Sequence, residues 1–158
     1  MSYDFNIDEI LAMAEKIEEN GSAFYRKAAT GVSGSSNRDL LLGLADMEDQ
    51  HRNTFTDLRA KISENEKVPT AFDPNNESAL YLNALADIRV FFKKEIDVTS
   101  MKEILKEAIV AEKDSIVFYI GMKDLVSEKL GKDKIDTIIK EEMSHIKILG
   151  NKLKEVKG

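Results

Sequence analysis

The sequence predicts an all-α fold, a bundle of four long helices arranged as two helical hairpins. Apolar residues recur at helical spacing through four long segments. Only two prolines occur, Pro69 and Pro74, and both fall between the second and third of those segments. Hydrophobic residues make up 42% of the chain and charged residues 33%, a mixture suited to long helices with one wet face. At 158 residues the chain is expected to form one domain, 1–158, with a core large enough to fold unaided.

The first helix is expected over about 7–31, where Ile10, Leu11, Ala14, Ile17, Gly21, Phe24 and Ala28 form one stripe. Asn6 with Glu9 reads as its cap and Gly31 as its stop. A tight connection from Gly31 to Asn37 follows, and Ser36 with Asp39 marks the start of a second helix, about 36–65. Its stripe is Leu40, Leu44, Met47, His51, Phe55, Leu58 and Ile62. The stretch 66–99 is a crossover too long for a bare loop, so a short helix is expected inside it, about 77–93. Ser100 with Glu103 makes a capping box for a third helix, about 100–126, and a fourth runs over about 128–157. Hairpin, long crossover, hairpin is the topology of a bundle with one crossover.

Composition removes several function classes. With no cysteine, the chain has no disulfide, thiol catalysis, Cys-ligated zinc or iron–sulfur cluster. A net charge of −6 argues against nucleic acid or an anionic membrane as partner. The N-terminus lacks the basic start and apolar stretch of a signal peptide, and no apolar run approaches a membrane span, so a cytoplasmic location is expected.

The chemistry lies in the two histidines. Each has a glutamate three residues before it, Glu48-Asp-Gln-His51 and Glu142-Met-Ser-His145. That spacing puts both side chains on one helix face, where they can grip one ion. A single Glu-x-x-His is weak evidence, because a solvated helix surface produces it often. A repeat makes the pair strong. Glu48 and Glu142 are 94 positions apart, as are His51 and His145, Glu18 and Glu112, Phe24 and Phe118, and Tyr25 and Tyr119. An internal duplication of a helical hairpin explains all five pairs. It also selects Glu18 over Glu19, and Glu142 over Glu141.

Level within the bundle agrees. Glu18 and Glu48 are centred on position 33, and Glu112 and Glu142 on Ser127, both at expected turns. Each carboxylate therefore lies roughly 20 Å from its turn, in mid-bundle. Four ionised carboxylates there would be very costly without bound positive charge. Two divalent cations beside neutral histidines would balance them. The candidate metal ligands are Glu18, Glu48, His51, Glu112, Glu142 and His145, with no catalytic residue beyond them. Tyr25 and Tyr119, seven residues after ligand glutamates, are either packed core residues or donors to the ligand carboxylates. Glu15, Glu19, Glu107 and Glu141 read as solvent-facing acids, and Met47, Met122 and Met143 as core filler.

One Glu from each of two helices plus Glu-x-x-His from the other two is the pattern of ferritin-like di-metal carboxylate proteins. The segments Ala14-Glu-Lys-Ile-Glu18-Glu-Asn-Gly-Ser-Ala-Phe-Tyr25 and Ala111-Glu112-Lys-Asp-Ser-Ile-Val-Phe-Tyr119 resemble the rubrerythrin family. So do Leu44-Ala-Asp-Met-Glu48-Asp-Gln-His51 and Glu141-Glu142-Met-Ser-His145-Ile. The resemblance covers roughly 8–65 and 100–155. It implies that Glu48 and Glu142 bridge two iron ions, with Glu18 and Glu112 terminal and one histidine on each metal. The chain departs from the family in two ways. It has no cysteine for the C-terminal rubredoxin domain, and Ser115 stands where the family carries a further glutamate associated with iron movement during peroxide reduction.

A carboxylate-rich site with two imidazoles suits iron, or manganese or a mixed pair, better than zinc. The expected function is a di-iron oxidoreductase that reduces peroxide or dioxygen with electrons from a separate, rubredoxin-like donor. The alternatives are a ferritin-like iron oxidation and binding protein or a non-catalytic metal-binding module. A storage cage is not expected, because the chain ends directly after its fourth helix. A homodimer is expected from the family's habit.

Overall fold

A computed structural model of the chain describes residues 7–65 and 96–156. The expected short helix at 77–93, the cap at Asn6 and most of the crossover lie outside the described residues. Among the described residues there are four long helices, α1 (Ile7–Gly31), α2 (Ser35–Asn65), α3 (Met101–Lys123) and α4 (Lys132–Glu155), and no strand. The α1–α2 and α3–α4 hairpins are the closely packed pairs, and α1 meets α3 while α2 meets α4 across the bundle. No helix among the described residues is long and apolar enough to cross a membrane.

The junctions explain the local sequence. Gly34 takes a left-handed φ of 91° just before α2, a conformation that a side chain would strain. Gly31 has a different role from the expected left-handed stop. A Cβ there would come within 2.5 Å of the Val98 carbonyl and side chain, so glycine lets the segment entering α3 pass close to the end of α1. Ser100 caps α3 by accepting from the Glu103 N–H. Ser100's own N–H donates to the Asp97 carbonyl at 3.1 Å, so a turn replaces the reciprocal half of the expected capping box.

The second hairpin's connection is longer than expected. α3 stops at Lys123 rather than near 126, a 3₁₀ turn spans Glu128–Leu130, and α4 starts at Lys132. Leu125 and Val126 are buried, so the chain leaves the helix in order to fold them under the end of the bundle. Gly131, at φ 109°, ends this turn against Leu58 of α2.

Among the described residues, two apolar clusters form the core. One contains Ile10, Leu11, Phe55, Phe118, Met122 and Ile135, and the other contains Phe24, Leu41, Leu44, Ile104, Leu105 and Leu149. Between them in the sequence of every helix lies a buried ionisable residue. Glu18, Glu48, His51, Glu112, Glu142 and His145 are each at most 2% exposed.

Candidate metal centre

All four helices contribute to this buried layer, and each contribution follows from helix periodicity. Glu18 on α1 and Glu112 on α3 continue the apolar stripes of their helices, next to Ile17 and Ala111. Glu48 and His51 on α2, and Glu142 and His145 on α4, each stand one turn apart on the inward face. The structure brings all six together in two overlapping groups. Glu18, Glu48, His51 and Glu142 form one, with ligand atoms within 4.8 Å of one another; Glu48, Glu112, Glu142 and His145 form the other. Glu48 and Glu142 belong to both. The imidazole rings stack, with centroids 5.7 Å apart and planes 20° from parallel.

Each histidine turns Nδ1 toward the carboxylates. His51 Nδ1 lies 3.2 Å from Glu142, 3.6 Å from Glu18 and 3.9 Å from Glu48. His145 Nδ1 lies 3.0 Å from Glu142, 3.4 Å from Glu112 and 3.5 Å from Glu48. Despite these distances His145 Nδ1 makes no properly directed hydrogen bond, and neither do Glu18 Oε2, Glu48 Oε1 and Glu142 Oε2. Buried polar atoms that converge without pairing are expensive in an isolated protein. They suit a site whose missing partner is a cation, and the oxygen-rich donor set with two imidazoles fits iron or manganese.

The carboxylates also show electrostatic crowding. Burial, then the charge of Glu142, raises Glu18 well above the usual carboxyl range, and burial with the charges of Glu18, Glu142 and Glu112 does the same to Glu48. Burial and the Glu142 charge raise Glu112 to about 8. Burial would raise Glu142 too, but contacts from Glu112, His145 and His51 hold it well below the usual range. Burial would lower the histidines, yet the surrounding carboxylates lift His51 to about 9 and His145 to about 12. Without metal, protons supply the positive charge that the cluster demands.

The two tyrosines exchange partners across the bundle. Tyr25 on α1 donates to Glu112 Oε1 at 2.6 Å, and Tyr119 on α3 donates to Glu18 Oε1 at 2.5 Å. Both rings are fully buried, so each is at once core and donor. The flanking acids are otherwise engaged. Arg26 pairs with Asp46 and Asp49, Arg52 lies by Glu19, and Arg59 grips Asp8 and Glu15. Ser115 is buried, and its hydroxyl donates back to the Ala111 carbonyl at 3.0 Å.

Two expectations need correction. Glu141 is more than a solvent-facing acid: its Oε2 lies 2.6 Å from His51 Nε2 while the side chain stays 42% exposed. The repeat held a signal for it, because position 47, its mate at the offset of 94, is methionine. Met143 is half exposed rather than core filler, whereas Met122 is fully buried.

Residues 9–151 match the family model described as Rubrerythrin. Among solved structures, a Thermotoga maritima protein described as a ferritin-like diiron-carboxylate protein superimposes with a TM-score of 0.68 at 26% identity. The match covers 98% of this chain and 99% of that one. No protein of curated function matches the sequence.

Proposed function

The chain belongs to the rubrerythrin family, and from that premise we propose that it is a di-iron carboxylate oxidoreductase reducing peroxide or dioxygen with electrons from a separate protein donor. The observation that carries this reading is the pair of overlapping three-Glu, one-His groups sharing Glu48 and Glu142. Glu18 and His51 would complete one metal position, Glu112 and His145 the other, with Glu48 and Glu142 between them. Two iron ions held there supply two-electron redox chemistry in a single small site.

The chain's own residues prepare that chemistry. The four carboxylates set a strongly negative, dehydrated pocket that favours two divalent cations over protons. Tyr25 and Tyr119 hold the Glu112 and Glu18 carboxylates from across the bundle and fix their orientation, with the other oxygen of Glu18 3.6 Å from His51 Nδ1. The apolar clusters above and below keep bulk water from the layer. Ser115 offers no seventh carboxylate, and its hydroxyl is turned back to the Ala111 carbonyl of its own helix.

The test is anaerobic loading with ferrous ion followed by rapid mixing with hydrogen peroxide or dioxygen. Reoxidation on the protein should be faster than that of free ferrous ion under the same conditions. Equal or slower reoxidation with both oxidants would overturn it.

A further inference from the structure

The repeat that builds the site is broken at one informative pair, Glu141 and Met47. On the first side, the outer ring nitrogen of His51 bonds the Glu141 carboxylate at 2.6 Å. On the second, the outer nitrogen of His145 is buried and has no hydrogen-bond partner, and the position matching Glu141 is a partly buried methionine. The surroundings diverge in the same sense. A cavity of about 280 Å³ beside His51 is lined by Gln50, Thr54, Asp57 and Thr137. The cavity of about 550 Å³ beside His145 is lined mainly by Leu40, Leu44, Met47 and Ile148.

We propose that Glu141 is a positioning residue that makes the two metal positions unequal, so that the position built on His51 fills first and binds more tightly than the one built on His145. This rests on the di-metal reading above. The physical reason lies in the hydrogen bond at the outer nitrogen of each imidazole. When a metal takes Nδ1, a carboxylate on Nε2 keeps the ring's remaining proton there and strengthens Nδ1 as a donor. It also fixes the ring's rotation. His145 receives none of this. Its outer nitrogen is buried without a hydrogen-bond partner, so no such bond holds that ring or polarises it toward a metal. Glu141 lines the cavities beside both histidines, so its charge is shared, but its hydrogen bond is made to the His51 ring.

The alternative is that Glu141 is an ordinary surface carboxylate that happens to touch a histidine. It predicts no effect on either metal. Titration of the metal-free full chain with cobalt(II), followed by calorimetry and visible absorption, separates the two. The wild type should bind two ions in resolved steps. Glu141→Met, which installs the mate residue, should weaken the first step by about 10- to 100-fold, the usual cost of losing such a carboxylate partner. It should also alter the absorption of the first bound equivalent and draw the two steps together. Glu141→Gln should weaken the same step less, and Met47→Glu should tighten the second step. Equal melting temperatures of the metal-free variants would place the effect in the site rather than in the fold. If Glu141→Met does not fold, the Gln and Glu variants still decide the question. Two indistinguishable steps in the wild type, or unchanged steps in the variants that fold, would overturn the proposal. Failure of the wild type to bind cobalt at all would instead contradict the di-metal reading itself.

Discussion

The two apolar clusters and the ionisable layer between them are built on the same four helices, yet their energetics run in opposite directions. Phe55, Phe118, Leu105 and Leu149 are buried and complete: their burial needs nothing that the chain does not supply. Glu18, Glu48, Glu142 and His145 are as deeply buried, and each carries at least one atom without a hydrogen-bond partner. The apolar clusters fix helix positions and hold four carboxylates closer together than those groups would choose. The layer therefore stores unfavourable electrostatics that a cation can relieve. Stability and function are divided between neighbouring levels of one bundle.

That division can be broken from either side. The largest effect is expected from Glu142→Ala or Glu48→Ala, because each carboxylate belongs to both groups. Either variant should lose both metals, read as metal content per chain, while keeping its helical circular dichroism. Phe55→Ala or Phe118→Ala should do the reverse. Each should lower unfolding free energy by about 3–5 kcal/mol, with metal binding retained in the fraction that stays folded. Chemical denaturation of metal-free protein measures this directly.

Loading should narrow the gap between the levels. At a hundredfold excess of metal over its dissociation constant, binding to the folded state alone adds about 2.7 kcal/mol per site, seen as a rise in melting temperature. The metal-free protein should also show the cluster's appetite for protons in its pH dependence. Glu112 is raised from 4.5 to about 8 and His51 from 6.5 to about 9. Groups raised on folding stabilise fully below their unfolded values and lose that contribution as pH rises through the folded ones. Glu142, lowered on folding, works the other way and is lost only in acid. The metal-free bundle should therefore lose stability from about pH 4.5 through pH 9 and on toward about 12, where His145 loses its proton, and Glu112→Gln should flatten the lower part of that slope, up to about pH 8. The smallest effects should come from Tyr25→Phe and Tyr119→Phe. Each removes one donor to one terminal carboxylate and should weaken metal binding by about tenfold, measurable by competition with a chelator.

Much of this arrangement could be read from residue spacing. A helix stripe is a local property, so Ile10, Leu11 and Ala14 announced α1, and an offset of 94 shared by five residue pairs tied the two hairpins together. The common level of Glu18, Glu48, Glu112 and Glu142 followed from turn positions alone. What escaped depends on neighbours in space. Glu141 lies one residue from the inward Glu142, on a face that periodicity assigns to solvent, and only the reach of its side chain to α2 gives it a role. Met143 belongs to an outward face for the same reason that Glu142 belongs inward, and residue type alone obscured that. Gly31 read as a stop signal because glycine is common there, whereas its cause is the approach of Val98 from a distant part of the chain. The early end of α3 at Lys123 reflects burial of Leu125 and Val126, which needs the facing helices in place.

The central claim is that the six buried residues form one site for two redox-active ions. Metal analysis of the full chain, purified without added metal and again after anaerobic ferrous loading, tests it most directly. The purified protein should contain iron, rising to two ions per chain after loading and falling to none in Glu142→Ala. A loaded wild type holding no iron, or a Glu142→Ala variant holding the same two ions, would contradict it.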